Sequence, residues 1–138
     1  MSEQFTDVVQ VCTDGSELSQ KAVDAAVELA LVLKRPLVGM TSVSGRAGIG
    51  RDLSQEAYSV QQRVRFIEEQ AKAAGVAYEI VAEHSQAPWM GILEVAKRYD
   101  ARFIVMASRG LGSLGSLILG SETQKVLASA DRPVLVIR

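Results

Sequence analysis

Residues 104–126 read IVMASRGLGSLGSLILGSETQKV, and this stretch decides the fold. It starts as a short apolar strand, passes through a loop with four glycines, and becomes helical at Ser121. Glycine has no Cβ to hold an anion away from main-chain N–H groups, and the start of a helix offers several such groups without partners. The stretch therefore predicts a site for a nucleotide or another phosphate ligand. The alternative is a flexible loop that joins a strand to a helix, since glycine motifs alone are weak signals.

The rest of the chain repeats this alternation of strand and helix. Its apolar runs are continuous, which indicates strands that are buried on both faces of a parallel sheet. With right-handed crossovers, the order predicts an α/β fold, a doubly wound open parallel five-stranded sheet with helices on both faces. We expect one domain over residues 1–138, without a linker or an internal repeat. The predicted strands are 8–12, 37–43, 76–82, 103–107 and 133–138, and the helical segments are 18–33, 53–74, 88–99 and 121–130.

Two turns are expected at the carboxyl edge of this sheet, where doubly wound folds bind their ligands. One comprises residues 13–16 after the first strand, and the other comprises residues 108–121. If the first and fourth strands are neighbours, Asp14 and the glycine loop face one crevice. The Asp14 carboxylate can accept hydrogen bonds from ribose hydroxyls. Alternatively, it can bind a divalent cation together with phosphates. Its alternative role is that of an ordinary turn residue.

The start of the last helix supplies the expected phosphate contacts. Ser121 is predicted to cap this helix, with Gln124 three residues later as its capping-box partner. Phosphate oxygens can accept hydrogen bonds from the hydroxyl and N–H of Ser121 and from the N–H groups of Gly120 and Thr123. Arg109 is either a phosphate partner or a solvated loop residue.

Charge and composition exclude several classes of protein. The chain has 138 residues, 15 basic and 16 acidic, so no broad positive field favours nucleic acid or an anionic membrane. No apolar run approaches the ~20 residues that span a bilayer, and the polar N-terminus is unlike a signal peptide. The single cysteine, Cys12, allows no internal disulfide and is expected to be a small buried thiol. These features predict a cytoplasmic protein.

Sequence motifs of catalysis are missing. No Gly-Lys-Ser/Thr follows a strand, so no lysine braces the β- and γ-phosphates. A receiver-like phosphoaspartate domain shares the element order, but it needs an aspartate at the end of the third strand, where Ala82 and Glu83 stand. Nothing near His84, the only histidine, completes a triad or a metal-binding set, so a surface position is favoured. We expect no catalytic residue and no resident metal, although slow nucleotide hydrolysis stays open.

The glycine stretch also matches a known family pattern. Ala107, Gly110, Gly120 and Ser121 resemble, in type and spacing, the universal stress protein signature G-x2-G-x9-G-S/T. The resemblance extends along nearly the whole chain, from the turn TDGS at 13–16 to the terminal RPVLVIR at 132–138. It implies a Rossmann-like fold of the adenine nucleotide alpha-hydrolase type and a role in stress response.

The resemblance implies a pocket for ATP or another adenine nucleotide, with Mg²⁺ as a candidate companion. By residue match, Asp14 is the acidic pocket residue and Val43 packs against adenine. Gly110, Gly120 and Ser121 match the ribose and phosphate contacts. Motif and resemblance together give the candidate contacts Thr13, Asp14, Val43, Ala107, Arg109, Gly110, Gly120, Ser121, Glu122 and Thr123.

A homodimer is also implied, in which the last strands, residues 133–138 here, pair across a two-fold axis. An apolar strand at a sheet edge presents unpaired backbone groups, which monomeric proteins usually cover or blunt. Pairing with a second copy of the strand satisfies these groups. Self-association is therefore expected alongside nucleotide binding.

Two residues depart from the family pattern. Ala107 stands where the signature has its first glycine, so its methyl group is expected to crowd the ribose. Glu122 stands where the family usually has an apolar residue. Its carboxylate suits the dipole of the last helix, but it would repel phosphate if it faced the pocket. The leading interpretation is a non-catalytic adenine-nucleotide-binding regulator, and the alternative is a dimeric interaction module of the same fold that does not bind ATP.

Overall fold

A computed structural model describes residues 5–44, 53–110 and 119–138 of the chain. Strands and helices alternate throughout, in the predicted order. The strands are β1 (Val9–Cys12), β2 (Leu37–Ser44), β3 (Tyr78–Ser85), β4 (Phe103–Ala107) and β5 (Val134–Ile137), and the helices are α1 (Glu17–Leu33), α2 (Leu53–Ala74), α3 (Pro88–Arg98) and α4 (Ser121–Ser129).

The five strands form one parallel sheet in the order β3-β2-β1-β4-β5. From β1 the chain winds outward through β2 to β3, and then it crosses to β4 and β5 on the other side. This reversal between β1 and β4 confirms the predicted doubly wound open sheet. It also makes the first and fourth strands neighbours, so the turns that follow them meet at one edge of the sheet.

Each face of the sheet carries two helices. Helices α1 and α2 pack on one face through small and branched residues such as Ala26 and Ile67, both fully buried. Helices α3 and α4 pack on the other face through residues such as Val95 and Val126. Both faces are therefore covered, as the continuously apolar strands predicted.

Close packing of α2 on β2 depends on Gly39. A Cβ added at this position would lie 2.7 Å from both Cδ1 and Cγ2 of Ile67, closer than side-chain carbons approach each other. Since Ile67 is fully buried, it has no empty space into which it can move. This glycine fixes the distance between helix and sheet.

Strand β3 begins at Tyr78 and not at residue 76, which corrects the predicted boundary. Gly75, with φ of +72°, ends α2, and the N–H of Val76 donates to the carbonyl of Ala71. Val76 therefore closes the helix rather than opening the strand. At its other end the strand continues to Ser85, beyond the predicted residue 82.

Among the described residues, no helix combines the length and the apolar character that crossing a membrane requires.

Candidate functional site

A cleft of about 420 Å³ lies at the carboxyl edge of the sheet, where β1, β2 and β4 end. Its walls come from the turn after β1, from α2, and from the first turns of α3 and α4. The residues that line it are Cys12, Thr13, Asp14, Ser19, Met40, Thr41, Ser42, Arg63, Pro88, Ile92, Met106, Ala107, Arg109, Gly110, Gly120, Ser121, Glu122 and Thr123. Nine of the ten predicted contacts are in this set.

Val43 is the predicted contact that does not line the cleft. Its side chain is buried within β2, whereas Thr41 and Ser42, which precede it, reach the cleft wall. Packing of Val43 against adenine therefore stays a prediction without support from this geometry. Thr41 and Ser42 are the β2 residues that could meet a ligand.

Hydrogen bonds fix the turn after β1. The Thr13 hydroxyl lies 3.0 Å from the Ser19 hydroxyl and accepts the N–H of Gly15. One Asp14 carboxylate oxygen, Oδ1, accepts the N–H of Ser16 at 3.0 Å. Ser16 in turn caps α1 by accepting the N–H of Ser19, which confirms the predicted N-cap. Asp14 is thereby held in a defined orientation at the cleft.

Gly110 and Asp14 are in close contact across the cleft. A Cβ added at Gly110 would lie 2.5 Å from Oδ2 of Asp14, so only glycine leaves room for this carboxylate. The predicted meeting of Asp14 with the glycine loop is therefore present in the structure. Gly112 and Gly115, which belong to the same loop, lie outside the described residues.

The start of α4 corrects two predictions. Ser121 is the first helical residue and not the cap, because the N-cap is Gly120, which has no side chain to bond. The N–H of Gly120 donates to the carbonyl of Ser108 at 2.7 Å, so this N–H is already used. The hydroxyl of Thr123 is also engaged, since it donates to the carbonyl of Ala107 at 3.0 Å.

Among the described residues at the start of α4, the N–H groups that remain for an anion are those of Ser121, Glu122 and Thr123. Hydrogen bonding within α4 begins with the N–H of Gln124, which donates to the carbonyl of Gly120. The three preceding N–H groups have no partner within the helix, and the helix dipole places partial positive charge on them. Residues 120–123, which we call the α4 end of the cleft, therefore suit an anion.

Glu122 contacts a second helix. One of its carboxylate oxygens, Oε2, accepts the N–H of Trp89 at 3.0 Å, in the first turn of α3. The residue before α3, Ala87, makes no side-chain capping bond of its own, and Pro88 opens the helix as predicted. Glu122 thus caps α3 from α4. The signal in the sequence was the absence of a capping side chain before Pro88, but it does not identify the distant residue that supplies one.

Ala107 and Arg109 lie on either side of Ser108 at the end of β4, and both line the cleft. Ala107 ends the strand and is not among the described residues with positive φ, so its backbone is of an ordinary strand type. Replacing the signature glycine by alanine therefore strains nothing in the backbone. Only the methyl group distinguishes this position from the family pattern.

Arg63 is a cleft residue that the sequence did not reveal. Its guanidinium donates to the carbonyl of Ser42 at 2.9 Å and to the hydroxyl of Ser59 at 3.3 Å. Its Cγ would lie 3.4 Å from a Cβ added at Gly15, so its stem packs beside the turn after β1. In the sequence, Arg63 lies on a polar helix face and cannot be distinguished from other solvated residues.

Three sulfur-containing residues are among those that line the cleft, namely Cys12, Met40 and Met106 on three adjacent strands. Cys12 is half-buried, whereas a buried thiol was expected. Burial nevertheless raises the pKa of its thiol to about 12, which keeps the sulfur protonated and unreactive.

Nε2 of His84 is hydrogen-bonded to Oε1 of Glu56 at 2.7 Å, so His84 is not a freely solvated surface residue. Nowhere in residues 5–44, 53–110 and 119–138 do three His, Cys, Asp or Glu side chains gather in a way that could hold a metal ion. A cation in the cleft would therefore depend on Asp14 together with oxygens of a ligand.

Comparison with known families gives a match over almost the whole chain. The model of the universal stress protein family matches residues 6–138. Universal stress protein YxiE of Bacillus subtilis is 30% identical over 146 residues, covering 93% of this chain and 96% of that relative. A universal stress protein of Thermus aquaticus is 53% identical over 51 residues, a match that covers 37% of each chain.

Solved structures share the same architecture. A universal stress protein in complex with cAMP superimposes with a TM-score of 0.78 at 25% identity, covering 96% of this chain and 97% of that one. The universal stress protein of Archaeoglobus fulgidus in complex with dAMP gives a TM-score of 0.79 at 20% identity, covering 97% and 99% of the two chains. The second likeness, at that identity, establishes the fold alone.

Proposed function

This chain belongs to the universal stress protein family, and we propose that it binds an adenine nucleotide in the cleft at the carboxyl edge of its sheet. The observation that carries the proposal is the meeting of Asp14, Gly110 and the α4 end of the cleft at one site. A ribose-binding carboxylate and a phosphate-binding helix start are thereby placed on opposite sides of one space. The solved relative in complex with cAMP supports the choice of an adenine nucleotide.

The proposed orientation follows from the chemistry of the walls. The phosphate lies at the α4 end of the cleft, against the N–H groups of residues 121–123. The ribose lies between Asp14 and Ala107, where the Asp14 carboxylate accepts hydrogen bonds from its hydroxyl groups. The base points toward the apolar part of the wall, which includes Met40, Ile92 and Met106. Where Mg²⁺ accompanies the nucleotide, Asp14 and the phosphates hold it.

The proposed activity is binding without turnover, in a regulator that acts in the cytoplasm during stress. In the part of the chain that the structure describes, no lysine lines the cleft to brace a leaving phosphate. Cys12 is no nucleophile at neutral pH, since burial raises its pKa to about 12. Sustained phosphate release at about 1 per second or faster, an ordinary enzyme rate, would contradict this part of the proposal.

Two experiments test the binding proposal. Denaturing the purified protein and separating the supernatant by anion exchange identifies a nucleotide that co-purifies. Calorimetry with AMP, ADP and ATP, with and without Mg²⁺, then compares the wild-type protein with Asp14→Ala. Asp24→Ala, an exposed position on α1, is the matched control with the same loss of charge. Binding that is lost in Asp14→Ala and kept in Asp24→Ala supports the site, whereas equal binding by both variants contradicts it.

Self-association through β5 is the second part of the proposal. The strand order places β5 at a sheet edge, and Leu135 on this strand is 39% exposed. The exposed side chain of Leu135 adds apolar surface to this edge strand. Pairing of two β5 strands around a two-fold axis covers the backbone groups at the edge.

A further inference from the structure

Glu122 lies between the starts of two helices, at the α4 end of the cleft. It belongs to the first turn of α4, and it lines the cleft. Its carboxylate accepts the N–H of Trp89 in the first turn of α3 at 3.0 Å. A charge-assisted bond to a helix start, which also carries partial positive charge, restrains this side chain. The negative charge is therefore fixed beside the anion site and does not swing away into solvent.

We propose that Glu122 sets the number of phosphates that the cleft accepts, and that it favours nucleoside monophosphates over di- and triphosphates. This inference rests on the proposed function, since it concerns the same site. A single phosphate needs only the three N–H groups of residues 121–123. Each further phosphate adds negative charge next to the fixed carboxylate of Glu122.

Of the other described charged side chains of the cleft, a single cation lies on the same side of β1 as Glu122. Among the described residues, those that line the cleft are Asp14, Arg63, Arg109 and Glu122, two acidic and two basic. Arg63 is held by the carbonyl of Ser42 at the end of β2, and β1 separates β2 from β4. Arg109, which follows β4, is the cleft-lining cation on the same side of β1 as Glu122. Glu122 thus offsets the attraction that Arg109 offers to each added phosphate.

The size of the effect follows from Coulomb's law. ATP carries about two more negative charges than AMP at neutral pH. A fixed carboxylate several ångströms away in a half-buried site disfavours them by a factor on the order of ten. Screening by salt weakens this repulsion, because part of the site is open to solvent.

The test measures dissociation constants of AMP, ADP and ATP without divalent cations, for wild type, Glu122→Gln and Glu94→Gln. The glutamine at 122 keeps an oxygen that can accept the Trp89 N–H, but it removes the charge. Glu94 is exposed on α3, so its substitution changes the net charge equally at a place outside the cleft. We expect wild type to bind AMP on the order of tenfold more tightly than ATP. Glu122→Gln should improve ATP binding and thereby bring the ratio of the ATP and AMP dissociation constants close to one. Glu94→Gln should leave this ratio unchanged.

An unchanged ratio in a Glu122→Gln protein that still binds AMP overturns this inference and leaves the proposed function standing. An equal change of the ratio in Glu94→Gln overturns it too, since net charge would then be the cause. No binding of any of the three nucleotides by wild type overturns the proposed function and this inference together. Wild type alone gives a further check that needs no variant. Its AMP preference should narrow when the salt concentration rises tenfold, and a preference that widens contradicts the proposed repulsion.

Discussion

At the scale of single residues, Gly110 and Gly39 both lie too close to a neighbouring side chain to accept a Cβ. The two neighbouring side chains differ in whether they can move. A Cβ at Gly110 would meet the carboxylate of Asp14 at 2.5 Å, and a Cβ at Gly39 would meet the buried carbons of Ile67 at 2.7 Å. A carboxylate at the end of a side chain can rotate away, whereas a fully buried isoleucine cannot. Gly110 is therefore expected to matter for the proposed ligand site, and Gly39 for the fold.

We predict that Gly110→Ala weakens adenine-nucleotide binding by about tenfold or more while it changes stability by less than about 1 kcal/mol, because Asp14 is displaced and the core is not. Gly39→Ala is the matched comparison, expected to lose about 1–3 kcal/mol by overpacking and to keep its affinity. Urea unfolding and calorimetry on both variants measure the two quantities. If both substitutions lower stability equally and leave affinity alone, Gly110 has no role in the site.

Cys12 gives a prediction about chemical reactivity. Burial raises the pKa of its thiol to about 12 from 9.0, so the thiolate fraction near pH 8 falls on the order of a thousandfold relative to the unfolded chain. Alkylation by iodoacetamide should slow by a similar factor in the folded protein. Mass spectrometry of samples quenched at intervals, with and without guanidinium, measures both rates. Equal rates in the two conditions would show that the thiol is not protected.

At the scale of elements, α3 and α4 are linked through their first turns. The Glu122 carboxylate caps α3, whose own N-cap residue, Ala87, makes no side-chain bond. The same carboxylate faces the cleft, so one side chain takes part in both the fold and the site. We therefore expect a substitution at 122 to change stability and the proposed ligand preference by separate physical routes.

Glu122→Ala should lower the free energy of unfolding by about 1 kcal/mol, the usual effect of losing a helix cap. Glu122→Gln should lose less, since the amide oxygen still accepts the Trp89 N–H. Glu94→Ala, on the exposed face of α3, should be close to neutral. Chemical denaturation of the three variants gives these differences. A Glu122→Ala protein as stable as wild type would mean that water caps α3 equally well.

Most elements were predictable, because strand and helix patterns are local properties of the chain. Glycine at residue 75 correctly marked the end of α2, and Ser16 correctly marked the start of α1. Ser121 failed as a cap because Gly120 takes that place, with its N–H fixed by the carbonyl of Ser108. This bond joins the two ends of the glycine loop, and no short-range pattern encodes it.

The site itself was predictable only where a motif marks it. Asp14, Gly110 and residues 120–123 follow strands in recognisable patterns, and the fold brings them together. No sequence motif includes Arg63 or Ser42, because their position at the cleft depends on how α2 packs on β2. The bond from Glu122 to Trp89 spans 33 residues and is likewise a product of the tertiary fold.

At the scale of the whole molecule, the proposed assembly depends on the edge strand β5. β5 ends the strand order, and the exposed side chain of Leu135 lies on it. In the proposed homodimer, a second copy of this strand would pair with the backbone groups at that edge.

We predict that Leu135→Lys converts the dimer into a monomer, since a charge on each copy would meet its equivalent across the two-fold axis. Light scattering coupled to gel filtration at micromolar concentration measures the mass of each form. Val32→Lys, at a 73% exposed position on α1, is the control and should stay dimeric. A wild-type mass equal to one chain contradicts the proposed assembly, and so does a Leu135→Lys protein that remains a dimer.

In the proposed complex, a nucleotide phosphate lies against the N–H groups that begin α4. The most direct test is a titration of ¹⁵N-labelled protein with AMP, followed through its amide resonances. We predict that Ser121, Glu122 and Thr123 shift downfield together with Gly110, because their N–H groups gain or lie beside an anionic acceptor. Amides at the opposite edge of the sheet, such as Arg35 and Arg102, should not move. Shifts confined to other parts of the protein, or no shifts at millimolar AMP, would contradict the account.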